Sequence, residues 1–226
     1  MKKSYAIRGA LFLLLSLSWV TITHADTIDL ASSGTAADPG QFNTDGATIA
    51  IAPNLDWAAP LSGSSWVSFG STGDVSTPGF FVVPNGTVVT FSDVFNITGT
   101  PTGGVIEVMA DDSAAVILNG VTLEAQAPTV GNTYATCSDF GIGCIVASTI
   151  ILPASVLQPG TNTLEFQVEQ QNGSSFGLDY SGYVTDPVST PEPNSAMLLG
   201  LGLLSMTMGG AATGVRRWGS SLLNQQ

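Results

Sequence analysis

Ala110-Asp111-Asp112-Ser113-Ala114-Ala115-Val116-Ile117-Leu118-Asn119-Gly120-Val121-Thr122-Leu123 reads as the end of one strand, an acidic turn, a second strand and a hairpin. Ala115 to Leu118 is apolar on both phases of a two-residue repeat, which predicts a strand covered on both faces. Asn119-Gly120 predicts a two-residue type I′ turn, because both central residues of that turn need positive φ. Asp111 and Asp112 predict a turn held through their own backbone. The same pair is a candidate for Ca²⁺ or a sugar hydroxyl, since carboxylate oxygens suit both.

The pattern extends outward from this stretch. No segment between the two ends of the chain has helical periodicity over ten or more residues. Short β-branched runs alternate instead with Gly, Pro, Asn, Asp and Ser clusters, which predicts an all-β sandwich or barrel. The expected strands are 27–30, 48–52, 65–68, 80–83, 87–91, 94–98, 105–110, 115–118, 121–125, 145–152, 163–169 and 177–184. In the cleanest, Leu164, Phe166 and Val168 share one face and Glu165, Gln167 and Glu169 the other. Pro53, Pro84, Pro128, Pro153 and Pro159 fall between runs, where a missing N–H does no harm.

The charges are distributed very unevenly. All five basic residues are Lys2, Lys3, Arg8, Arg216 and Arg217, and the one histidine is His24. All seventeen carboxylates lie between Asp26 and Glu192. That middle region has no cation with which to displace counterions from phosphate, so nucleic-acid binding is excluded. It has no imidazole for a Ser-His-Asp or Cys-His centre, no lysine for a Schiff base and no histidine-based zinc site. Its stability must come from apolar burial and hydrogen bonds, with calcium as the candidate cofactor for an oxygen-rich acidic surface.

The Asp111-Asp112 pair before Val116-Ile117-Leu118-Asn119-Gly120 is joined by Trp66-Val67-Ser68 upstream and Gly160-Thr161-Asn162-Thr163-Leu164-Glu165-Phe166 downstream. In this order the three resemble the galactose-binding-like jelly-roll family, over about Trp66 to Tyr183. The resemblance implies a jelly-roll β-sandwich, ligands that are often sugars, and in some members a structural Ca²⁺. Trp57 and Trp66 then have two readings, a flat platform for a sugar ring or core packing. Tyr134, Phe140, Phe176, Tyr180 and Tyr183 have the same two, at a rim or in the core. Asn119 and Asn162 read as turn residues, with Asn119 also a candidate ligand.

Both ends of the chain read as targeting segments. Lys2, Lys3 and Arg8 precede an apolar run from Ala10 to Val20, and Thr23-His24-Ala25 offers small residues to a signal peptidase. Residues 1–25 are therefore expected to be a secretory signal peptide cut after Ala25. At the other end, Pro191-Glu192-Pro193 is followed by an uncharged run, Asn194 to Val215, and then by Arg216-Arg217. As a helix that run would be about 33 Å long, enough to cross a bilayer core. The arginines would stay in the cytoplasm. The order closely resembles the PEP-CTERM sorting signal of bacterial exported proteins. That resemblance implies an exosortase-type membrane protease as partner and delivery to the cell surface or extracellular matrix of a Gram-negative bacterium. A eukaryotic lipid-anchor signal normally ends apolar, so Arg216-Arg217 argues against it. The expected organisation is a signal peptide at 1–25, a β-sandwich ectodomain at 26–186, a linker at 187–193, a transmembrane helix at 194–215 and a cytoplasmic tail at 216–226.

Cys137 and Cys144 are expected to pair in an exported chain, since no further Cys or His is available for a metal. A glycosidase would need two carboxylates, with Asp111 or Asp112 set against Glu165, Glu169 or Asp179, and the spacing selects no pair. The leading expectation is a non-catalytic adhesion or matrix component associated with exopolysaccharide. A calcium-dependent carbohydrate-binding lectin module is the alternative, and a glycoside-active enzyme the third reading.

Overall fold

The computed structural model describes residues 24–127, 137 and 141–188. Twelve strands are found among them, and no helix. They are β1 (His24–Ala31), β2 (Gln41–Asn43), β3 (Gly46–Ala47), β4 (Ile49–Ala50), β5 (Val67–Ser68) and β6 (Val88–Ile97). Then come β7 (Gly103–Asp111), β8 (Ser113–Leu118), β9 (Val121–Glu124), β10 (Ser148–Leu152), β11 (Gly160–Glu169) and β12 (Gly177–Val188). One sheet runs β10-β7-β12-β5-β4, with β1 also paired to β12. The other runs β3-β2-β6-β11-β8-β9. Every pairing is antiparallel.

Alternation builds the core. Ile106, Val108, Ala110, Leu178, Tyr180 and Val184 of the first sheet face Val89, Phe91, Val116, Leu118, Leu164, Phe166 and Val168 of the second. The contact includes Phe166 stacked on Tyr180, ring centroids 4.5 Å apart. The expected face assignment of β11 is observed: Leu164, Phe166 and Val168 are fully buried, while the intervening side chains reach solvent to varying degrees.

Several expectations change. The acidic turn at Asp111-Asp112 is a crossing: β7 ends at Asp111 in one sheet and β8 begins at Ser113 in the other. The runs expected at 87–91 and 94–98 are one ten-residue strand, β6, and Asp93 lies inside it. The strand expected at 80–83 is absent. Those residues form a loop in which Phe81 packs edge-on against Phe69 and Val83 N–H donates to Ser174. The short pair β2 and β3 was not anticipated, since Gln41-Phe42-Asn43 carries no apolar alternation. The Asn119-Gly120 hairpin forms as expected, with φ of 50° and 80° at its two central residues.

Among the described residues no helix is long and apolar enough to cross a membrane. The expected span at 194–215 and the signal segment up to residue 23 lie outside the described residues.

Candidate functional site

Asp111 occupies the outward phase of β7 with Val105, Glu107 and Met109, opposite the core-facing Ile106, Val108 and Ala110. Here the outward face is covered. The rings of Trp57 and Trp66 lie over it with centroids 4.4 Å apart and a 35° tilt. They pack with Met109 and Cys144 in a second, smaller apolar cluster that Ile51, Ala58, Leu61 and Cys137 border. Gly177 of β12 stands opposite Asp111. A Cβ at Gly177 would come 2.9 Å from the Trp57 ring, so the missing side chain is what lets the indole lie on the sheet.

Each indole N–H has an acceptor, as buried tryptophan requires. Trp66 Nε1 donates to the Ala58 carbonyl at 3.1 Å, and Trp57 Nε1 donates to Asp111 Oδ2 at 2.7 Å. Ala58 N–H donates in turn to the Cys144 carbonyl, which ties the tryptophan segment to the disulfide loop. Cys137 and Cys144 are joined, with Cα atoms 5.7 Å apart.

Asp111 and Asp112 are each only 3% exposed. Burial pushes the Asp111 carboxyl up. The hydrogen bond and negative charge of Asp112 push it further and Trp57 pulls it back, leaving it at about 9. Asp111 is therefore a neutral acid at pH 7. Its Oδ1 is buried with no hydrogen-bond partner, so a bound proton spares that oxygen an unsolvated charge. Burial also raises Asp112, offset by Asp111 and by the Gln171 N–H, which donates to Asp112 Oδ2 at 2.6 Å. The pair is a hydrogen-bonded lock where the chain changes sheets, fastened to Trp57 on one side and to the segment after β11 on the other.

This placement bears on calcium at Asp111 and Asp112. Ca²⁺ takes six to eight oxygen ligands. Here Asp111 Oδ2 accepts from Trp57 Nε1 and Asp112 Oδ2 accepts from Gln171 N–H. Among the described residues no group of three or more His, Cys, Asp or Glu side chains is placed to hold a metal ion. Trp66 is fully buried and presents no face to a sugar; Trp57 is 8% exposed.

Asn119 does more than turn the hairpin. Its Oδ1 accepts from Thr163 N–H at 2.9 Å, and its Nδ2 donates to Val156 O at 2.9 Å and to Asn162 Oδ1 at 2.8 Å. Asn162 is fully buried, accepts from Gln158 N–H and donates to Gln158 O and Gly160 O. The two amides lock the β8–β9 turn to the start of β11.

Three further carboxylates are buried; Asp93 and Asp186 were missed from sequence, and Asp179 was weighed there only as a glycosidase partner for Asp111 or Asp112. Asp93 points into the sandwich, where Tyr180 OH donates to its Oδ2 at 2.8 Å. Burial raises its carboxyl to about 6, against the Tyr180 hydrogen bond, with a smaller upward push from Asp38. Tyr180 is pushed well up by burial and by the charge of Asp93. Asp179 is fully buried under Trp66's segment and accepts from Leu61 N–H, Ser32 Oγ and Ser64 Oγ at 2.5–2.9 Å. Asp186 accepts from Thr98 N–H and Oγ1, each at 2.9 Å, and from Gly99 N–H at 2.6 Å. Desolvation opposes its ionisation, yet these three donors hold it below the usual carboxylate range. Asp93 left a signal: it sits in phase with Val89, Phe91, Phe95 and Ile97. Glu165 and Glu169, weighed as partners for Asp111 or Asp112, lie on the outer row of the other sheet.

No protein-family profile matches the chain, and no curated protein matches it. Solved structures give distant likenesses. A family 35 carbohydrate binding module from Clostridium thermocellum is 13% identical, with a TM-score of 0.39 over 69% of this chain and 97% of that one. The K1 cleaved adhesin domain of the Lys-gingipain of Porphyromonas gingivalis W83 is 14% identical, with a TM-score of 0.38 over 72% and 99%. A GH26-CBM35 β-(1,4)-mannanase of Podospora anserina is 15% identical, with a TM-score of 0.36 over 74% of this chain and 28% of the enzyme.

Of the other residues singled out in the sequence, Phe176 and Tyr180 are in the core, and Tyr183 is 43% exposed on the first sheet. Tyr134, Phe140, Pro191, Glu192, Pro193, Arg216 and Arg217 lie outside the described residues. Ala25 falls within β1, in register with Pro187. β12 runs to Val188, two residues into the stretch read as a linker.

Proposed function

We propose that the chain is an exported, surface-sorted, non-catalytic protein whose galactose-binding-like sandwich associates with extracellular glycans. The signal peptide ending at Ala25 directs export. The Pro191-Glu192-Pro193 motif, the apolar run and Arg216-Arg217 present the chain to an exosortase-type protease, which passes it to the surface or matrix. One observation carries the non-catalytic reading. Residues 26–188 hold no Lys, Arg or His, and the buried carboxyls are engaged in hydrogen bonds that hold the sandwich together. What remains on the surface is carboxylates, hydroxyls and a few aromatic rings, a chemistry that can adhere to sugars.

A glycan array of the full chain, run with and without chelator, tests this reading. Saturable binding that survives chelation supports it. Binding abolished by chelator would move it to the calcium-dependent lectin. Turnover of any polysaccharide that stops on one carboxylate substitution would overturn the non-catalytic claim. Intact mass of the native exported protein tests the sorting half: loss of residues 1–25 and cleavage near Pro191-Glu192-Pro193 are expected.

A further inference from the structure

The outer face of the first sheet is covered at one end, where Trp57 and Trp66 lie over Met109. At the other end its side chains stay open. Ile151 of β10, Val105 of β7, Tyr183 of β12 and Asp29 of β1 form one cross-strand row. Glu107 and Thr149 face each other in the next row. Ile151 is 65% and Tyr183 43% exposed, and Asp29, Glu107 and Thr149 are exposed as well. Asp29 stands directly across from Tyr183, about 5 Å away between backbones, and Glu107 sits on the diagonal at about 7–8 Å. The Tyr183 position thus has a carboxylate residue on each of its two neighbouring strands. Among the described residues neither carboxylate has a hydrogen-bond partner, in contrast to the buried acids.

We propose that this open patch, centred on Tyr183 and flanked by Asp29 and Glu107, binds amino-sugar polysaccharides through their protonated free amines. The proposal rests on the glycan-associating reading above and names its site and ligand class. The tyrosine ring takes the C–H face of a pyranose. The unpaired carboxylates take ammonium and hydroxyl donors in charge-assisted hydrogen bonds. Charge selects the ligand. Between residues 26 and 188 every titratable side-chain charge is negative, so uronate, sulfate and phosphate groups meet no partner and an ammonium-bearing polymer meets a complementary field.

The test titrates the full chain, in non-ionic detergent, with three probes: a β-1,4-linked glucosamine pentamer, its N-acetylated counterpart and an oligogalacturonate. The free-amine pentamer should bind at least about tenfold more tightly than the acetylated one, and raising salt from about 0.05 M to about 0.5 M should erase most of that preference. The oligogalacturonate should not bind. Tyr183→Ala should weaken the pentamer about tenfold or more while Tyr183→Phe keeps it. Asp29→Asn with Glu107→Gln should abolish the preference for the free amine. An unchanged unfolding midpoint shows that each variant is folded. Equal binding of the pentamer by folded Tyr183→Ala would overturn the site and leave the glycan reading standing. Equal or tighter binding of the acetylated or anionic probe would overturn the ligand class. Failure to bind any glycan would remove the broader reading with it.

Discussion

Asp93→Asn should make the chain more stable at pH 8 than the wild type, although it replaces a residue that accepts a hydrogen bond from Tyr180. Asp93 points into the sandwich with Tyr180 OH as its donor at 2.8 Å, and its carboxyl sits at about 6 when folded against 3.8 for an unperturbed one. The folded chain therefore keeps the proton to higher pH than the unfolded chain does. As pH rises from about 4 to about 6, the unfolded state loses its proton first and stability falls; below about 4 both states are protonated and the penalty vanishes. At 1.36 kcal/mol per pH unit the full penalty is about 3 kcal/mol, reached above about pH 6. Asparagine keeps the acceptor for Tyr180 and removes the ionisation, at the cost of a new amide that needs an acceptor of its own, about 1–2 kcal/mol. The net gain at pH 8 is then about 1–2 kcal/mol. Urea unfolding at pH 4, 6 and 8 reads it directly, since an m-value of about 2 kcal/mol/M turns that gain into a midpoint shift of about 0.5–1 M. The difference between the two proteins, not the wild-type curve alone, is the diagnostic, because Asp111 titrates too. If the two midpoints move in parallel from pH 4 to pH 8, Asp93 is not ionising in a desolvated site and the reasoning fails.

Asp111→Asn should be tolerated within about 1 kcal/mol at pH 7, because Asp111 is already a neutral acid. Asp111→Ala, which orphans Trp57 Nε1 and the Asp112 carboxylate, should cost about 2–4 kcal/mol by urea unfolding. Reducing the Cys137–Cys144 bond should lower stability by about 2–3 kcal/mol, measured by denaturant midpoint with and without dithiothreitol. Asn119→Ala should cost about 2–3 kcal/mol, since it places a Cβ-branching-free but αL-averse residue at φ 50° and strips Asn162 and Thr163 of a partner; Asn119→Gly should recover the turn and only part of that loss.

The strands were most legible where apolar residues line the buried face and polar residues the wet one. The two-residue period of Leu164, Phe166 and Val168 has no helical alternative, and Asn119-Gly120 names its own turn type. Asp93 was misread despite its phase with Val89, Phe91, Phe95 and Ile97, for a physical reason. A carboxylate among Phe91, Val94 and Phe95 reads as a strand end unless its desolvation is relieved. What relieves it is Tyr180, 87 positions away. The Trp57–Asp111 bond likewise joins residues 54 apart, and no local pattern could pair them. With the indole unassigned, Asp111-Asp112 looked like an exposed turn with ligand chemistry. The structure gives a buried crossing between sheets.

A chain region with no cation must handle its buried acids without ion pairs, and Asp179, Asp186 and Asp111 show two ways of doing so. Asp179 and Asp186 are surrounded by N–H and O–H donors, and those around Asp186 hold its carboxyl below the usual range. Asp111 has one donor, Trp57 Nε1, and a buried Oδ1 with no partner; it keeps its proton instead. Both devices consume the oxygens that a ligand or a metal would need. The acids still free to act are therefore those left outside the hydrogen-bond network on exposed strand faces. Asp29 and Glu107 are such a pair beside an exposed aromatic ring, so a search for function in this sandwich belongs on the open half of its first sheet.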